Sequence, residues 1–249
     1  MTHRLLYGLA GWLALAGIGR AQAQAVAKAD SAAVTAAVGA ATQYYTRTVR
    51  PESVLFNGPE YVNHTLPGTI GHQFFLGAEP QLGTVTYHDG QFAGVLLSYD
   101  LALDQLVMTY PNQAVTITLV SEKVKAFSLA NHQFVRVASD SATAATLTTG
   151  FYELLLPGPV SLLARRTKRI EQATVLQTLK QEFRQTDRLF VRTPRAATEV
   201  TNLKSLVALL PAHQAEVQRY ARQQRLSFGS AQREASALST LRYYYTLPQ

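Results

Sequence analysis

Between Pro51 and Arg195 apolar and polar side chains alternate in short runs. Gly, Pro, Asn and Asp interrupt them. Alternation with a period of two is the signature of strands with one face buried. GTVTYHDGQFAGVLLSYD reads as two strands around Asp89-Gly90, with Val95, Leu97 and Tyr99 on one face. Leu103 to Tyr110 predicts the next strand, stopped by Pro111-Asn112. AVTITLV places Val115, Ile117 and Leu119 on one side, and Thr116 and Thr118 on the other. KAFSL and QFVRV join at Asn131-His132, and GFYELLLPGPVSLLARR turns at Pro157-Gly158-Pro159. Ile170 to Gln185 has no clear period, and DRLFVRT is the last strand. Strands this close, joined by turns this short, pair antiparallel.

After residue 195 the period changes. Leu203, Leu206, Val207 and Leu210 recur at helical spacing. Pro211 is expected to start a second helix with Val217, Tyr220 and Ala221 along one face. Ser230 is the candidate N-cap of a third helix carrying Ala235, Leu238, Leu241 and Tyr245. Three tyrosines in a row, Tyr243 to Tyr245, point about 100° apart on a helix and cannot form one stacking platform. The expected class is α+β. A curved antiparallel sheet or partial barrel of about 9–11 strands spans residues 51–195, and helices from 196–249 pack on it.

The N-terminus differs from both parts. Arg4 precedes an uncharged run from Leu5 to Ile18, and Ala21-Gln22-Ala23 then places small residues where a signal peptidase reads them. Residues 1–23 are therefore expected to be a secretory leader, with Ala25 as a second cleavage position. The run is shorter than the roughly 20 residues of a membrane-spanning helix, so no transmembrane segment is expected after cleavage. Residues 24–50 form an Ala-rich lead-in with a weak apolar face. Export, to the periplasm or the medium, is the localisation this implies. The chain has no cysteine, which excludes disulfides, thiolate metal sites, thiol nucleophiles and an N-terminal lipid anchor.

The formal charge of +7 is unevenly spread. Residues 162–195 hold nine Lys or Arg against three acids. Arg165, Arg166, Lys168 and Arg169 crowd the end of one strand and point to both of its faces. Two readings follow. The four can protect a solvated strand edge from aggregation, or they can contact an anionic partner such as lipid headgroups or polyanionic glycans. An exported chain rarely meets nucleic acid, and the segment lacks interleaved aromatics, so a nucleic-acid partner is not expected.

Signatures of catalysis are missing. The chain contains no G-x-S-x-G elbow, phosphate loop or S-x-x-K pair. His64, His72, His88, His132 and His213 have no partner histidine at i+2, i+3 or i+4, and a turn histidine is ordinarily solvated. Asp100 and Asp104 flank LAL either as a cation or acid–base pair, or as turn residues that bond the backbone, the reading their sparse spacing favours. No catalytic residue, metal ligand or cofactor is expected.

The stretches LFNGPEYV, GTVTYHDGQFAGVLLSYDLALDQLV and GFYELLLPGPVSLLARRTKR, with the ending LSFGSAQREASALSTLRYYYTL, resemble a group of exported proteins of Bacteroidetes-type bacteria. The likeness covers most of the chain after the leader. It implies export and a strands-then-helices layout. That group carries no settled activity, so the resemblance implies no site residues.

These features favour a non-enzymatic cell-envelope protein acting as a binding or interaction module, its specific role and oligomeric state open. Two alternatives stand beside it. One is a carrier of an apolar ligand or lipid in a partly closed barrel. The other is a hydrolase whose site is dispersed along the chain.

Overall fold

The computed structural model describes residues 34, 36–41, 54–110, 115–139, 146–175 and 178–248. The chain divides into two units, Met1–Ser53 and Val54–Gln249. In the first, residues 34 and 36–41 are helical. The leader at 1–23 and most of the 24–50 lead-in lie outside the described residues.

The second unit is an open, curved antiparallel sheet followed by short helices. Its strands are β1 (Gln81–Tyr87), β2 (Gly90–Asp100), β3 (Gln105–Thr109), β4 (Thr116–Thr118), β5 (Val124–Leu129), β6 (His132–Val137), β7 (Gly150–Leu156), β8 (Ser161–Val175), β9 (Thr178–Arg192) and β10 (Ala197–Glu199). The helices are α1 (Leu203–Val207), α2 (Gln214–Gln223) and α3 (Arg233–Tyr244). The strand order is β10-β9-β8-β7-β6-β5-β1-β2-β3-β4. Two meanders thus run outward from β1, joined by the return from β4 to β5. The sheet curls until Leu101, just past β2, accepts a main-chain hydrogen bond from Lys168 of β8 at 3.2 Å. Four strands lie between them in the sheet. β4 and β10 remain the sheet's two outer strands.

The concave interior is filled by rings. Phe134 stacks on Phe127 at 4.7 Å between centroids, and Tyr99, Phe75 and Phe151 close around this pair edge-on. Farther along, Leu162, Ala164, Leu189 and Val191 of β8 and β9 pack on Leu206, Val217 and Leu241 of the helices. The opposite face of β6–β9 carries a smaller cluster around Tyr152, Leu163 and Phe190. Burial on both faces accounts for apolar runs such as FYELLL and SLLA where strict alternation fails.

Several boundaries move from their expected places. The β1–β2 turn is His88-Asp89, with His88 at φ +52°, and Gly90 already pairs with Tyr87. The β5–β6 turn is Ala130-Asn131, both at positive φ, which puts His132 inside β6 opposite Leu129. β3 begins at Gln105, since Leu101 to Asp104 form the corner. β10 carries the sheet past residue 195. α1 is capped by Asn202, whose side chain accepts from the Ser205 amide while Ser205 returns the bond. α2 starts at Gln214 rather than at Pro211, because His213 in a left-handed conformation closes the preceding turn. α3 starts at Arg233, and Ser230 belongs to the turn before it.

The tyrosine triplet separates as its helical spacing demands. Tyr243 stacks on Tyr220, Tyr244 is buried, and the Tyr245 hydroxyl both donates to the Val160 carbonyl and accepts from its amide. Those last bonds tie the chain's end to the β7–β8 turn.

The stretch from Ile170 to Gln185 proves to belong to a two-stranded ribbon, described to Val175 on one strand and from Thr178 on the other. β8 and β9 pair over fifteen residues each, from Ser161–Arg192 to Val175–Thr178, while β7 pairs with β8 only at Leu162 to Ala164. The ribbon therefore runs beyond the sheet. A strap before β1 crosses it: Ile70 exchanges backbone hydrogen bonds with Gln181 and Phe183 at 2.8 and 3.0 Å, and Phe74 bridges to Asp100.

Candidate functional site

Strand alternation sends Leu162, Ala164, Arg166 and Lys168 toward the interior face. Arg166 is thus carried into the region between the aromatic core and the helices. It is only 8% exposed. Its Nε and Nη2 both reach Glu153 Oε2, at 2.7 and 2.6 Å. Its Nη1 lies 2.9 Å from Asp187 Oδ2 and 2.8 Å from Glu234 Oε2. One guanidinium thereby joins β7, β8, β9 and the first turn of α3. Burial alone would weaken its hold on the proton. The Glu234 hydrogen bond and the charges of Glu153, Glu234 and Asp187 outweigh this and raise its pKa above the usual arginine value.

Glu153 is the buried acid of the group. Its second oxygen, Oε1, sits 2.5 Å from His132 Nδ1. The edge of Phe75 closes on the His132 ring at 5.0 Å. A histidine oriented by a buried carboxylate, itself fixed by an arginine, has the form of an acid–base relay. A relay for acyl transfer also needs a nucleophile. Among the described residues, no Ser or Thr hydroxyl bonds to His132. The arrangement ties β6, β7, β8, β9 and α3 together, with one guanidinium shared by three carboxylates.

Arg165 lies on the other face, across the Tyr152 ring at 5.1 Å. Its Nη1 donates to the Phe151 carbonyl and its Nη2 to Asp104 Oδ2, both at 2.8 Å. This bridge crosses β7 at Gly150, whose φ is +152°. A Cβ there would fall inside contact distance of both the Arg165 guanidinium and Asp104. Gly150→Ala is expected to cost about 2 kcal/mol through backbone strain and loss of this ion pair. Chemical denaturation should show a lower midpoint at an unchanged slope.

Lys168 fastens the strap. Its ammonium donates to the carbonyls of His72 and Phe74 at 2.9 and 2.7 Å. Burial lowers its pKa, and the nearby Asp100 charge opposes that shift. Of the four basic residues singled out from the sequence, three are thus committed to partners within the chain. Arg169 alone is exposed, with no ion pair among the described residues. The segment is neither wholly a solvated edge nor an open cationic patch.

Asp100 and Asp104 act as turn residues, and as anchors besides. Asp100 Oδ1 accepts from the amides of Ala102 and Leu103 at 2.8 and 3.0 Å. Its Oδ2 accepts from the Tyr61 hydroxyl at 2.7 Å. Gln73 in turn donates to Tyr61 and Asn63. Burial, reinforced by the Asp100 charge, pushes the Tyr61 hydroxyl well above its ordinary pKa. Asp104 sits at φ +57° and accepts from the Tyr99 hydroxyl at 2.6 Å. Both carboxylates are used up in holding the β2–β3 corner against the strap and β8.

A cleft of about 400 Å³ opens between β9 and the start of α3, lined by Asp187, Leu189, Ser230, Arg233, Glu234 and Leu238. Its two carboxylates turn inward to Arg166. Among the described residues no three His, Asp or Glu side chains gather to hold a metal ion. No helix among them is long and apolar enough to cross a membrane.

Sequence reasoning missed the Arg166–Glu153–His132 group. One usable signal was present: Glu153 is the only acid in the apolar run GFYELLL, and a strand buried on both faces tolerates an acid only when it is paired. Set against family models, curated proteins and solved structures, the chain matches none of them.

Proposed function

We propose that the protein is an exported, non-enzymatic cell-envelope protein that works as a binding module, with the β8–β9 ribbon as its contact element. The observation that carries this reading is the ribbon itself. Ladder pairing continues from Arg165–Arg188 to Val175–Thr178 with no further strand beside it in the sheet. Glu171, Gln172, Ala173 and Thr174 of β8 are all exposed. Apart from the strap's bonds at Gln181 and Phe183 and the Lys168–Leu101 bond, this ribbon runs outside the sheet's ladder, and its exposed end is a ready surface for a partner. The leader expected at residues 1–23 and the resemblance to exported proteins support the envelope as the place of action.

The carrier reading meets an interior already filled by Phe127, Phe134, Phe151 and Tyr99. The hydrolase reading meets a His132–Glu153 pair to which no Ser or Thr hydroxyl bonds among the described residues. The test combines native mass spectrometry with photo-cross-linking from position 172 on the arm and from Arg242, an exposed helix position. A bare chain mass with adducts from the arm only is the expected result. A co-purified lipid, or equal cross-linking from both positions, would overturn the proposal.

A further inference from the structure

The ribbon carries its charges in like-signed rungs. Arg169 pairs directly with Arg184, and the next rung on the same face sets Glu171 directly against Glu182. The strap covers the opposite face, where Gly71 lies against Phe183. The charged face is thus left open, and side chains of Arg184, Glu171 and Glu182 are 59%, 69% and 42% exposed. Arg184 serves both acids, Glu182 at 3.1 Å and Glu171 at 3.5 Å, and Arg169 has no ion pair among the described residues. Like charges directly opposite one another destabilise a two-stranded ribbon. Here two such rungs of opposite sign follow each other.

One symmetry operation relieves both rungs. A two-fold axis lying between two ribbons, perpendicular to their strands and midway between these rungs, stacks them face to face with strands reversed. Arg169 then lies over the partner's Glu171, and Arg184 over the partner's Glu182. Each contact occurs twice, as in any isologous interface. Thr167 and Thr186 meet the partner's Ala173 and the partner's Lys180, so no like charges are brought together.

We propose that the protein binds a second copy of itself through this ribbon face, an inference that rests on the ribbon being the contact element. The contact is narrow, so association at tens to hundreds of micromolar is appropriate to its size. It is also electrostatic, so salt should weaken it.

Sedimentation equilibrium of the full chain tests this at low and high salt. Wild type should show a dimer that dissociates as salt rises. Arg169→Glu with Arg184→Glu should raise the dimer dissociation constant at least tenfold, and so should Glu171→Arg with Glu182→Arg. An equimolar mixture of the two double variants should regain wild-type affinity, which neither misfolded chain could do. A monomeric wild type at low salt, or a dimer indifferent to both swaps, would overturn the proposal. Photo-cross-linking from the arm to a different partner would in that case leave the broader reading standing.

Discussion

Replacing Arg166 by Met is expected to destabilise the protein by about 3–5 kcal/mol, the cost of removing one partner from a buried ion pair. For a unit of this size that corresponds to a fall of roughly 6–20 °C in melting temperature. The reason lies in what stays behind. Glu153 is buried and would lose both of its short contacts with the guanidinium, while Asp187 and Glu234 would face it across the vacated space. Asp187 and Glu234 are partly exposed and can turn to water, whereas Glu153 cannot. Part of the loss should therefore be recovered by replacing Glu153 as well. The double variant Arg166→Met with Glu153→Gln is expected to be more stable than Arg166→Met alone, with a coupling of about 1–3 kcal/mol. Arg166→Lys should fall between wild type and Met, since an ammonium cannot span three carboxylates as the planar fork does. Urea unfolding of wild type, Arg166→Met, Glu153→Gln and the double variant closes the cycle. An Arg166→Met variant within about 0.5 kcal/mol of wild type would mean that Glu153 takes up a proton or reaches water at no cost.

The fold was largely legible because its strands are short apolar runs closed by turn residues, and alternation holds where one face dominates, as along β1. Leu97 and Tyr99, and Ile117 with Leu119, point inward as alternation demands, whereas Val115, expected beside them, lies before β4 and is exposed; Pro157-Gly158-Pro159 does separate β7 from β8. The errors cluster where local chemistry and tertiary structure disagree. Asp89-Gly90 and Asn131-His132 carry turn residues, yet the turns sit one residue earlier. Pairing on both flanking strands sets the register, and His88, Ala130 and Asn131 accept positive φ to keep it. The distal ribbon was unreadable for another reason. With one face under a strap and the other in solvent, β8 and β9 lose the apolar alternation that marks a strand. The basic segment was visible as a charge excess, but its meaning depended on Glu153, Asp104 and the His72 and Phe74 carbonyls. These lie between 13 and 96 positions away in the chain, and spacing alone cannot report such partners.

Phe134→Ala is the second large effect, expected to cost about 3–5 kcal/mol as a large buried ring is replaced by a methyl. Phe134 is 1% exposed and touches Phe127, Tyr99 and Phe75, so its loss leaves an apolar void with rings on three sides. Those neighbours stand on β5, on β2 and in the strap. They are held by separate backbones and cannot collapse inward together. Such a void stays dry and accepts small apolar molecules. Benzene is therefore expected to raise the melting temperature of Phe134→Ala by mass action and to leave wild type unchanged. This pair of melts bears directly on the carrier alternative. A sheet interior packed at native density has no room for an apolar guest until a ring is removed. If benzene stabilises wild type as much as the variant, the interior already holds space, and an apolar ligand would become the better account of the curved sheet.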